Sequence, residues 1–269
     1  MQASPARQHD GGSPFGDTFY PDLRSRRVFI TGGGSGIGEA LVEAFVRQGA
    51  QVAFVDINGA VSEALVERLR AQDLGPTPWW RRCDVTDVPS LQQAIADAAQ
   101  ALGTFDVLVN NVGSDDRHAL DDVTPAYWDQ RIGVNQRAAF FAIQAVVPGM
   151  REQGHGSIIN LGSTGWQTKN AGYPCYATAK SSMNGMMRGM AKALGEHRIR
   201  INVLSPGWVM TERQITQWLD AESEKELMKN QCLPDKVMPG DIAAMALFLA
   251  SDASRACTAQ EFVVDAGWT

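Results

Sequence analysis

The sequence predicts a single α/β domain in which a doubly wound, seven-stranded parallel sheet is flanked by helices. Short β-branched segments alternate with longer segments whose apolar residues recur at helical spacing. A glycine-rich turn joins the first predicted strand to the first helix. Such alternation buries a parallel sheet between two layers of helices. A chain of 269 residues is long enough for one large domain of this kind.

Six segments have the β-branched, apolar composition of buried strands. They are residues 27–31 (RVFIT), 51–56 (QVAFVD), 105–110 (FDVLVN), 156–161 (GSIINL), 200–205 (RINVLS) and 261–266 (EFVVDA). A seventh strand is predicted near 76–81 (PTPWWR), although its prolines lack the N–H that a strand donates. Helical spacing predicts helices between the strands, at residues 39–49, 61–72, 90–102, 138–150, 181–194 and 241–251.

Two segments stand outside this alternation. Residues 1–20 are rich in Pro, Gly, Ser and charge and lack the apolar core of a secretory signal, so they are predicted as a flexible tail. Residues 207–239 separate the sixth strand from the last helix, and we predict a substrate-loop insertion there. A pair of surface helices without function is the alternative. The domain itself is predicted to span residues 21–269.

Composition bounds the classes of function. A net charge of −6 without a cluster of Lys and Arg argues against nucleic-acid binding. The four cysteines are widely spaced and form no CxxC pair, which argues against a metal site or a disulfide framework and favours the reducing cytoplasm. No apolar run approaches the roughly 18 residues that a membrane span needs.

The glycine-rich turn, TGGGSGIG at 31–38, follows a strand and opens a helix. Glycine lets the backbone approach a pyrophosphate, whose charge is stabilised by free N–H groups and the helix dipole. An isolated match of this kind can be a plain tight turn. In this context it predicts a Rossmann dinucleotide site, whose first members are Gly32, Ser35, Gly36, Ile37 and Gly38.

The ends of the next strands carry the remaining nucleotide contacts. Asp56 ends the second strand, where a carboxylate accepts hydrogen bonds from the ribose hydroxyls and repels a 2′-phosphate. Neither Ser35 nor Ile57 supplies a compensating positive charge, so NAD is expected in preference to NADP. Helix capping is the alternative role of Asp56. Further contacts are expected after the third and fourth strands, from Asp84, Val85, Asn111 and Gly113.

A tyrosine and a lysine four residues apart, Tyr176 and Lys180, would lie on one face of a helix and share a small site. Together with this pair, the sequence resembles the short-chain dehydrogenases/reductases from about Tyr20 to Thr269. The resemblance rests on TGxxxGxG at 31–38, NNxG at 110–113, Asn135, Ser163, YxxxK at 176–180 and PGWVMT at 206–211. It implies a catalytic tetrad of Asn135, Ser163, Tyr176 and Lys180, and a nicotinamide-binding turn formed by Pro206, Gly207, Val209 and Thr211.

The chemistry of the tetrad follows from its residue types. A free phenol has a pKa of about 10, too high for a base at neutral pH. We expect the Lys180 ammonium and an oxidised nicotinamide to lower that pKa, so that Tyr176 takes a proton from a substrate hydroxyl. Ser163 is expected to hold the substrate oxygen, Lys180 to bind the nicotinamide ribose, and Asn135 to hold a water that passes the proton outward.

The loop that follows NNVG, SDDRHAL at 114–120, is unusually polar. Its Asp115, Asp116, Arg117 and His118 offer donors and acceptors that suit a polyol, whose buried hydroxyls must each find a partner. Trp166 and Trp208 are expected to lie against a sugar ring, and Ser163 and Tyr176 complete the predicted substrate contacts. A solvated loop with local ion pairs is the alternative.

At a finer level, the segments YPDL, DDRH, QCLPDKVMPGDIAAMALFLASD and FVVDAGWT resemble the bacterial aldose 1-dehydrogenases of this family. That resemblance implies NAD-linked oxidation of a pentose or hexose, such as xylose, galactose, arabinose or fucose, at C1 to the lactone in sugar catabolism. The first alternative is a reductase of another substrate, such as a 3-oxoacyl thioester. The second is a non-catalytic NAD-binding sensor.

Apolar residues exceed what one buried helix face requires in two long helical regions, around Thr124–Met150 and Tyr176–Leu194. Core packing alone would explain some of them. Because members of the resembling family pair these helices between subunits, a homotetramer or homodimer is expected.

Overall fold

The computed structural model describes residues 18–169 and 171–269. Seven parallel strands form one sheet in the order β3-β2-β1-β4-β5-β6-β7. The strands are β1 Arg27–Thr31, β2 Gln51–Asp56, β3 Trp79–Arg82, β4 Val107–Asn110, β5 Gly156–Leu161, β6 Ile199–Pro206 and β7 Glu261–Val264. The predicted fold class is confirmed.

The helices that connect and follow the strands are α1 Gly36–Arg47, α2 Gly59–Ala71, α3 Val88–Leu102, α4 Pro125–Ile132, α5 Ala138–Gln153, α6 Pro174–Gly195, α7 Glu212–Trp218, α8 Ala221–Asn230 and α9 Pro239–Ala250. Among the helices of the described residues, none is both long and apolar enough to cross a membrane.

Helices cover both faces of the sheet, as the doubly wound topology requires. One apolar layer joins Val28 and Ile30 of β1 to α1, α2 and α9. The other joins Phe29 of the same strand to α3, α5 and α6. Because successive strand residues point to opposite faces, this alternation along β1 fills both layers from one strand.

Two predicted boundaries differ from the structure for identifiable reasons. Strand β3 begins directly after Pro78, three residues later than predicted, because proline donates no ladder hydrogen bond. Helix α6 begins at Pro174, seven residues earlier than its apolar pattern indicates. Proline suits the first turn of a helix, where its missing N–H would be unpaired in any case. Tyr176 therefore lies in the first turn of α6.

The chain around Asn135 is a distorted helix. α4 is followed without a break by a π-helical segment, Gly133–Arg137, and then by α5. A π-helical turn inserts one extra residue into the helical ladder and is often found at functional sites.

The two segments predicted to lie outside the regular alternation have different outcomes. The predicted tail, residues 1–20, falls largely outside the described residues. At its end, Gln48 of α1 donates a hydrogen bond to the Thr18 carbonyl at 3.0 Å and accepts one from the Tyr20 N–H at 2.8 Å. The predicted insertion, 207–239, contains α7 and α8, and a parallel bridge joins Val209 to Val237 at its base.

The order of the strands determines where a ligand can bind. From β1 the chain first builds outward through β2 and β3, then returns to add β4 on the other side. The carboxyl ends of β1 and β4 therefore flank a crevice from which the connections lead away in opposite directions. In open parallel sheets this switch point is the usual ligand site.

Candidate active site

The glycine turn after β1 leaves no room for side chains. Gly36 has a φ of +58°, and a Cβ added to Gly38 would lie 1.8 Å from the Gly32 carbonyl oxygen. A Cβ on Gly33 would come within 2.6 Å of the Phe54 ring. Because of this packing, the backbone of the turn and the N-terminus of α1 form a tight, open cradle of the kind that pyrophosphate requires.

Hydrogen bonds from neighbouring strands hold the turn in place. The Asn111 side-chain amide donates to the Gly32 carbonyl oxygen at 2.8 Å, and the Gly34 N–H donates to Asp56 Oδ2 at 2.9 Å. Asp56 Oδ1 accepts from the Asn58 N–H at 2.9 Å. Asp56 thus shapes the turn as well as offering a negative charge beside it.

A cavity of about 1600 Å³ lies along the carboxyl edge of the sheet. Every residue predicted to bind the cofactor lines it: Gly32, Ser35, Gly36, Ile37, Gly38, Asp56, Ile57, Asp84, Val85, Asn111, Gly113, Tyr176, Lys180, Pro206, Gly207, Val209 and Thr211. The cradle, the acidic residue and the size of the cavity fit a dinucleotide.

The predicted base and its serine lie in the wall of the same cavity. Tyr176 and Ser163 both line it, and Ser163 Oγ accepts from the Gly165 N–H at 3.0 Å. Burial raises the pKa of Tyr176 to about 12, while the Ser163 side chain and the charge of Arg117 oppose that rise and the Asp115 carboxylate adds to it.

Lys180 is buried, with 3% of its surface exposed. Its Nζ donates to the Leu161 carbonyl at 2.9 Å and to the Val112 carbonyl at 3.4 Å, and it lies 5.9 Å from the centre of the Tyr176 ring. Burial lowers the pKa of Lys180 to about 8, against the opposing effect of the Asp115 carboxylate. The lysine is therefore held rigidly but is only weakly basic.

In the chain by itself, burial is the largest influence on the pKa of Tyr176, and it acts upward. Burial also lowers the pKa of Lys180. Two ionisable groups in one apolar site both favour their neutral forms. The expected lowering of the tyrosine pKa by Lys180 together with an oxidised nicotinamide stays a prediction.

Asn135 lies behind the cavity rather than in its wall. Its Oδ1 accepts from the Ser114 N–H at 2.8 Å, and its Nδ2 donates to the carbonyl oxygens of Arg131 at 3.0 Å and Ser114 at 3.1 Å. A Cβ added to Gly113 would lie 3.3 Å from Asn135 Oδ1 and 3.1 Å from Lys180 Nζ. The side-chain amide is thus used in holding the loop after β4, and its predicted part in binding a water stays a prediction.

Polar and aromatic side chains from two distant segments meet at the other end of the cavity. Trp208 Nε1 donates to Gln214 Oε1 at 2.8 Å, and Gln214 Nε2 donates to Asp115 Oδ2 at 3.0 Å. The Arg117 guanidinium lies 4.2 Å from the centre of the Tyr173 ring and 5.1 Å from that of Trp218. All six side chains of this group line the cavity, and the group comprises Asp115, Arg117, Tyr173, Trp208, Gln214 and Trp218.

Two predicted substrate contacts, His118 and Trp166, do not line the cavity. His118 Nε2 accepts from the Cys175 N–H at 3.3 Å, and its Nδ1 lies 2.9 Å from the Asp116 carbonyl oxygen. The ring therefore connects the loop to the first turn of α6. Trp166 stands in a short 3₁₀ turn after β5 and is 39% exposed. Their placement gives no support for a role in substrate binding.

The sequence reasoning missed three cavity residues at this end: Tyr173, Gln214 and Trp218. Tyr173 lies three positions before Tyr176, and the two rings meet edge to face at 5.5 Å. Gln214 and Trp218 belong to α7, four residues apart and therefore on one helix face. The WxxxxxQxxxW spacing of residues 208–218 carries this signal, but only the fold shows that the face is turned to the cavity.

Comparison with known proteins places the chain in a family. Residues 32–269 match the family model described as enoyl-(acyl carrier protein) reductase. The chain is 45% identical over 249 residues to D-xylose 1-dehydrogenase of Caulobacter vibrioides, covering 93% of this chain and 98% of that protein. It is 46% identical over 248 residues to a probable galactose dehydrogenase of Rhizobium meliloti, covering 92% and 96%.

The chain is also similar to solved structures of this family. The 3-oxoacyl-[acyl-carrier protein] reductase of Brucella melitensis with bound NAD superimposes with a TM-score of 0.84 at 32% identity, covering 93% of this chain and 94% of that chain. The protein belongs to the short-chain dehydrogenase/reductase family, as its motifs predicted. It is therefore an oxidoreductase that uses a nicotinamide cofactor.

Proposed function

We propose that the protein oxidises a free aldose, a pentose or hexose, at C1 to the lactone with NAD, as part of sugar catabolism. The observation that carries this proposal is that Tyr176 and Ser163 line the same cavity as a group of charged, amide and indole side chains. The relatives named for xylose and galactose oxidation support the same substrate class.

The cofactor is proposed to lie along the glycine turn, with its adenosine ribose beside Asp56. Both oxygens of that carboxylate already accept backbone N–H groups, which fixes it in place, and its negative charge would repel a 2′-phosphate. Arg82 is in register with Asp56 on the neighbouring strand, but its Nε donates to the Ile57 carbonyl at 3.1 Å and it does not line the cavity. These contacts support NAD over NADP.

When bound, the cofactor supplies the acceptor for the hydride that leaves C1. The remaining chemistry belongs to the protein. Ser163 holds the C1 hydroxyl, and Tyr176 accepts its proton, so that loss of one proton and one hydride converts the ring hemiacetal to a lactone. Because the protein's own groups hold the pKa of Tyr176 at about 12, proton transfer depends on the positive charge of the oxidised nicotinamide and on Lys180 in its charged form.

The substrate end suits a molecule with hydroxyls on every carbon. Asp115 and Gln214 offer acceptors, Arg117 and Gln214 offer donors, and the indole of Trp208 offers an apolar face. A buried polar group costs free energy when its partner is missing, so such a site discriminates against substrates that lack hydroxyls. A long acyl chain, the substrate of the alternative 3-oxoacyl reductase, would offer these groups no hydroxyls to bind.

Two further properties complete the proposal. A homodimer or homotetramer is supported by Trp128 on α4 and Phe140 on α5, which are 40% and 39% exposed in the single chain. Location in the cytoplasm is supported by the cysteines, all four of which lie in the described part of the chain and are free.

A substrate panel tests the proposal. Xylose, galactose, arabinose and fucose are mixed with the protein and NAD or NADP, and the absorbance of the reduced cofactor is followed. The matching polyols, which lack the C1 hemiacetal, serve as controls. We expect turnover of at least one aldose and none of its polyol. Turnover of a 3-oxoacyl thioester with reduced cofactor, and of no aldose, would instead support the alternative function.

A further inference from the structure

Two arginines from separate helices meet at one carboxylate in the loop after β4. Asp116 Oδ1 accepts from Arg213 Nη2 of α7 at 2.6 Å. Its Oδ2 accepts from Arg131 Nη1 of α4 at 2.6 Å and from Ser114 Oγ at 2.9 Å. Burial would raise the pKa of this carboxyl, but the bonds from Ser114, Arg131 and Arg213 outweigh that effect and lower it. The group is therefore charged and joins three parts of the chain.

Arg131 depends on this carboxylate. The residue is 8% exposed, and its Nε has no hydrogen-bond partner among residues 18–169 and 171–269. Its guanidinium also lies 5.1 Å from the centre of the Tyr127 ring. Within the same described residues, Asp116 is the one carboxylate that forms an ion pair with it. The Arg131 side chain is 10% exposed and that of Asp116 is 48% exposed, so loss of the carboxylate would leave a largely buried guanidinium without its ion-pair partner, which is unfavourable.

Two of the three residues that donate to Asp116, Arg131 and Ser114, also hold Asn135. The Asn135 amide donates to the carbonyl oxygens of Arg131 and Ser114, and its Oδ1 accepts from the Ser114 N–H. The side chains of Arg131 and Ser114 bind the carboxylate, while their backbones bind the asparagine. No direct contact between Asp116 and Asn135 is needed for one to fix the other.

We infer that Asp116 is a positioning residue: it fixes Asn135 through Arg131 and Ser114, and connects this arrangement to helix α7 through Arg213. The inference rests on the proposed function, because the catalytic part of Asn135 belongs to that proposal. Asp116 itself is not among the residues that line the cavity. Its loss should therefore act on the rate of the chemical step rather than on the binding of NAD.

Substitutions can separate the bond of Asp116 to Arg213 from its bond to Arg131. Arg213→Met removes the bond to α7 and leaves Arg131 paired. Asp116→Ala removes both, and Asp116→Asn retains the size of the side chain while removing its charge. Asp121→Ala is the matched control, because Asp121 is an exposed carboxylate in the short 3₁₀ turn of the same connection.

Hydrogen exchange of the backbone amides is the first readout, and it needs neither sugar nor cofactor. In Asp116→Ala we expect exchange to rise at least about tenfold in residues 112–116 and 133–137, with β1 and β2 unchanged. Asp116→Asn should show a smaller rise in the same segments. Arg213→Met and Asp121→Ala should leave 133–137 within about twofold of the wild type.

Steady-state kinetics with the best sugar is the second readout. In Asp116→Ala, kcat should fall about ten- to a hundredfold while KM for NAD stays within about twofold, because a misplaced group outside the binding site slows the chemistry. Arg213→Met should raise KM for the sugar with a smaller change in kcat. If the wild type oxidises no sugar, the proposed function fails, and the exchange data still decide whether Asp116 fixes the asparagine.

Unchanged exchange of 133–137 in both Asp116 variants would overturn the inference. So would a rise spread evenly over the whole chain, since that pattern belongs to a general loss of stability. If Asp116→Ala does not fold, Asp116→Asn decides alone, and a local rise in 133–137 supports the inference while exchange equal to the wild type contradicts it.

Discussion

Lys180 Nζ lies 5.9 Å from the centre of the Tyr176 ring, one helical turn further along α6, and donates a hydrogen bond to the Leu161 carbonyl. The fold thus anchors the lysine on the backbone of β5 while the tyrosine lines the same cavity as Ser163, in the loop that follows the same strand. Tyr176 and Lys180 are thus both held near the carboxyl end of β5. The proposed roles of base and supporting cation require such a fixed arrangement.

Loss of the phenol should abolish catalysis while the binding of NAD is kept. We expect Tyr176→Phe to lower kcat about a hundred- to ten-thousandfold, because the variant has no group to accept the proton. The phenyl ring keeps its edge-to-face contact with Tyr173, so the affinity for NAD measured by fluorescence titration should change little. Retention of more than a tenth of the wild-type kcat would mean that another group is the base.

The buried lysine should make stability depend on pH. The pKa of Lys180 is about 8 in the folded chain and near its ordinary value of 10.5 after unfolding, so between these values the unfolded chain binds more protons. The unfolding free energy should therefore rise with pH in this window, by about 2 kcal/mol between pH 8 and 9.5. Urea unfolding at the two pH values measures it.

Lys180→Met supplies the control for that measurement, since it removes the titrating group and keeps an apolar side chain of similar length. The rise between pH 8 and 9.5 should disappear in the variant. Above pH 10 the unfolding free energy should fall with pH in both proteins, because the pKa of Tyr176 is raised to about 12 and the folded chain then binds the extra proton. The same pH dependence in variant and wild type would contradict the assignment.

The glycine cradle can be tested by adding one methyl group. Gly38→Ala would place a Cβ 1.8 Å from the Gly32 carbonyl oxygen, so the turn must move. We expect the unfolding free energy to fall by about 2 kcal/mol and NAD binding to be lost. Gly195→Ala, at the end of α6 with no atom within 4 Å of the added Cβ, should change neither by much. Equal behaviour of the two variants would argue against the cradle.

Preference for NAD should depend on Asp56. Asp56→Ala removes the charge that opposes a 2′-phosphate, and it also removes the acceptor of the Gly34 N–H. We expect the ratio of kcat/KM for NAD to that for NADP to fall at least about tenfold, mainly because kcat/KM for NAD falls. A ratio equal to that of the wild type would show that other groups select the cofactor.

Sugar binding should depend on Arg117, whose guanidinium is packed between the rings of Tyr173 and Trp218. Arg117→Met keeps much of the length and apolar contact but removes the donors. We expect KM for the sugar to rise about tenfold or more, because hydroxyls at this end lose a partner, while the affinity for NAD is unchanged. An unchanged KM for every aldose in the panel would remove Arg117 from the substrate site.

Much of the fold and of the cofactor site could be predicted because their signals are local. The alternation of strand and helix patterns, the glycine turn and the YxxxK pair each lie within a few consecutive residues, and their geometry follows from backbone sterics and helical periodicity. Even here the apolar pattern missed the first turn of α6, where Tyr176 lines the cavity instead of adding to an apolar stripe.

The substrate end could not be predicted in the same way. Asp116 and Arg213 are 97 positions apart, and Asp115 and Gln214 are 99 apart, so only the packing of the loop after β4 against α7 brings them together. His118 shows the converse case. Its position in a polar loop predicted a substrate contact, while in the structure its ring accepts a hydrogen bond from the Cys175 N–H at the N-terminus of α6.

The most direct test of the proposed oxidation follows the hydrogen on C1 of the sugar. The aldose that the protein turns over best is labelled with deuterium at C1, and the reduced cofactor and the sugar product are identified by mass spectrometry or NMR. We predict that the deuterium is recovered in the reduced nicotinamide and that the product is the lactone or the acid formed by its hydrolysis. Deuterium retained in the sugar product would contradict oxidation at C1.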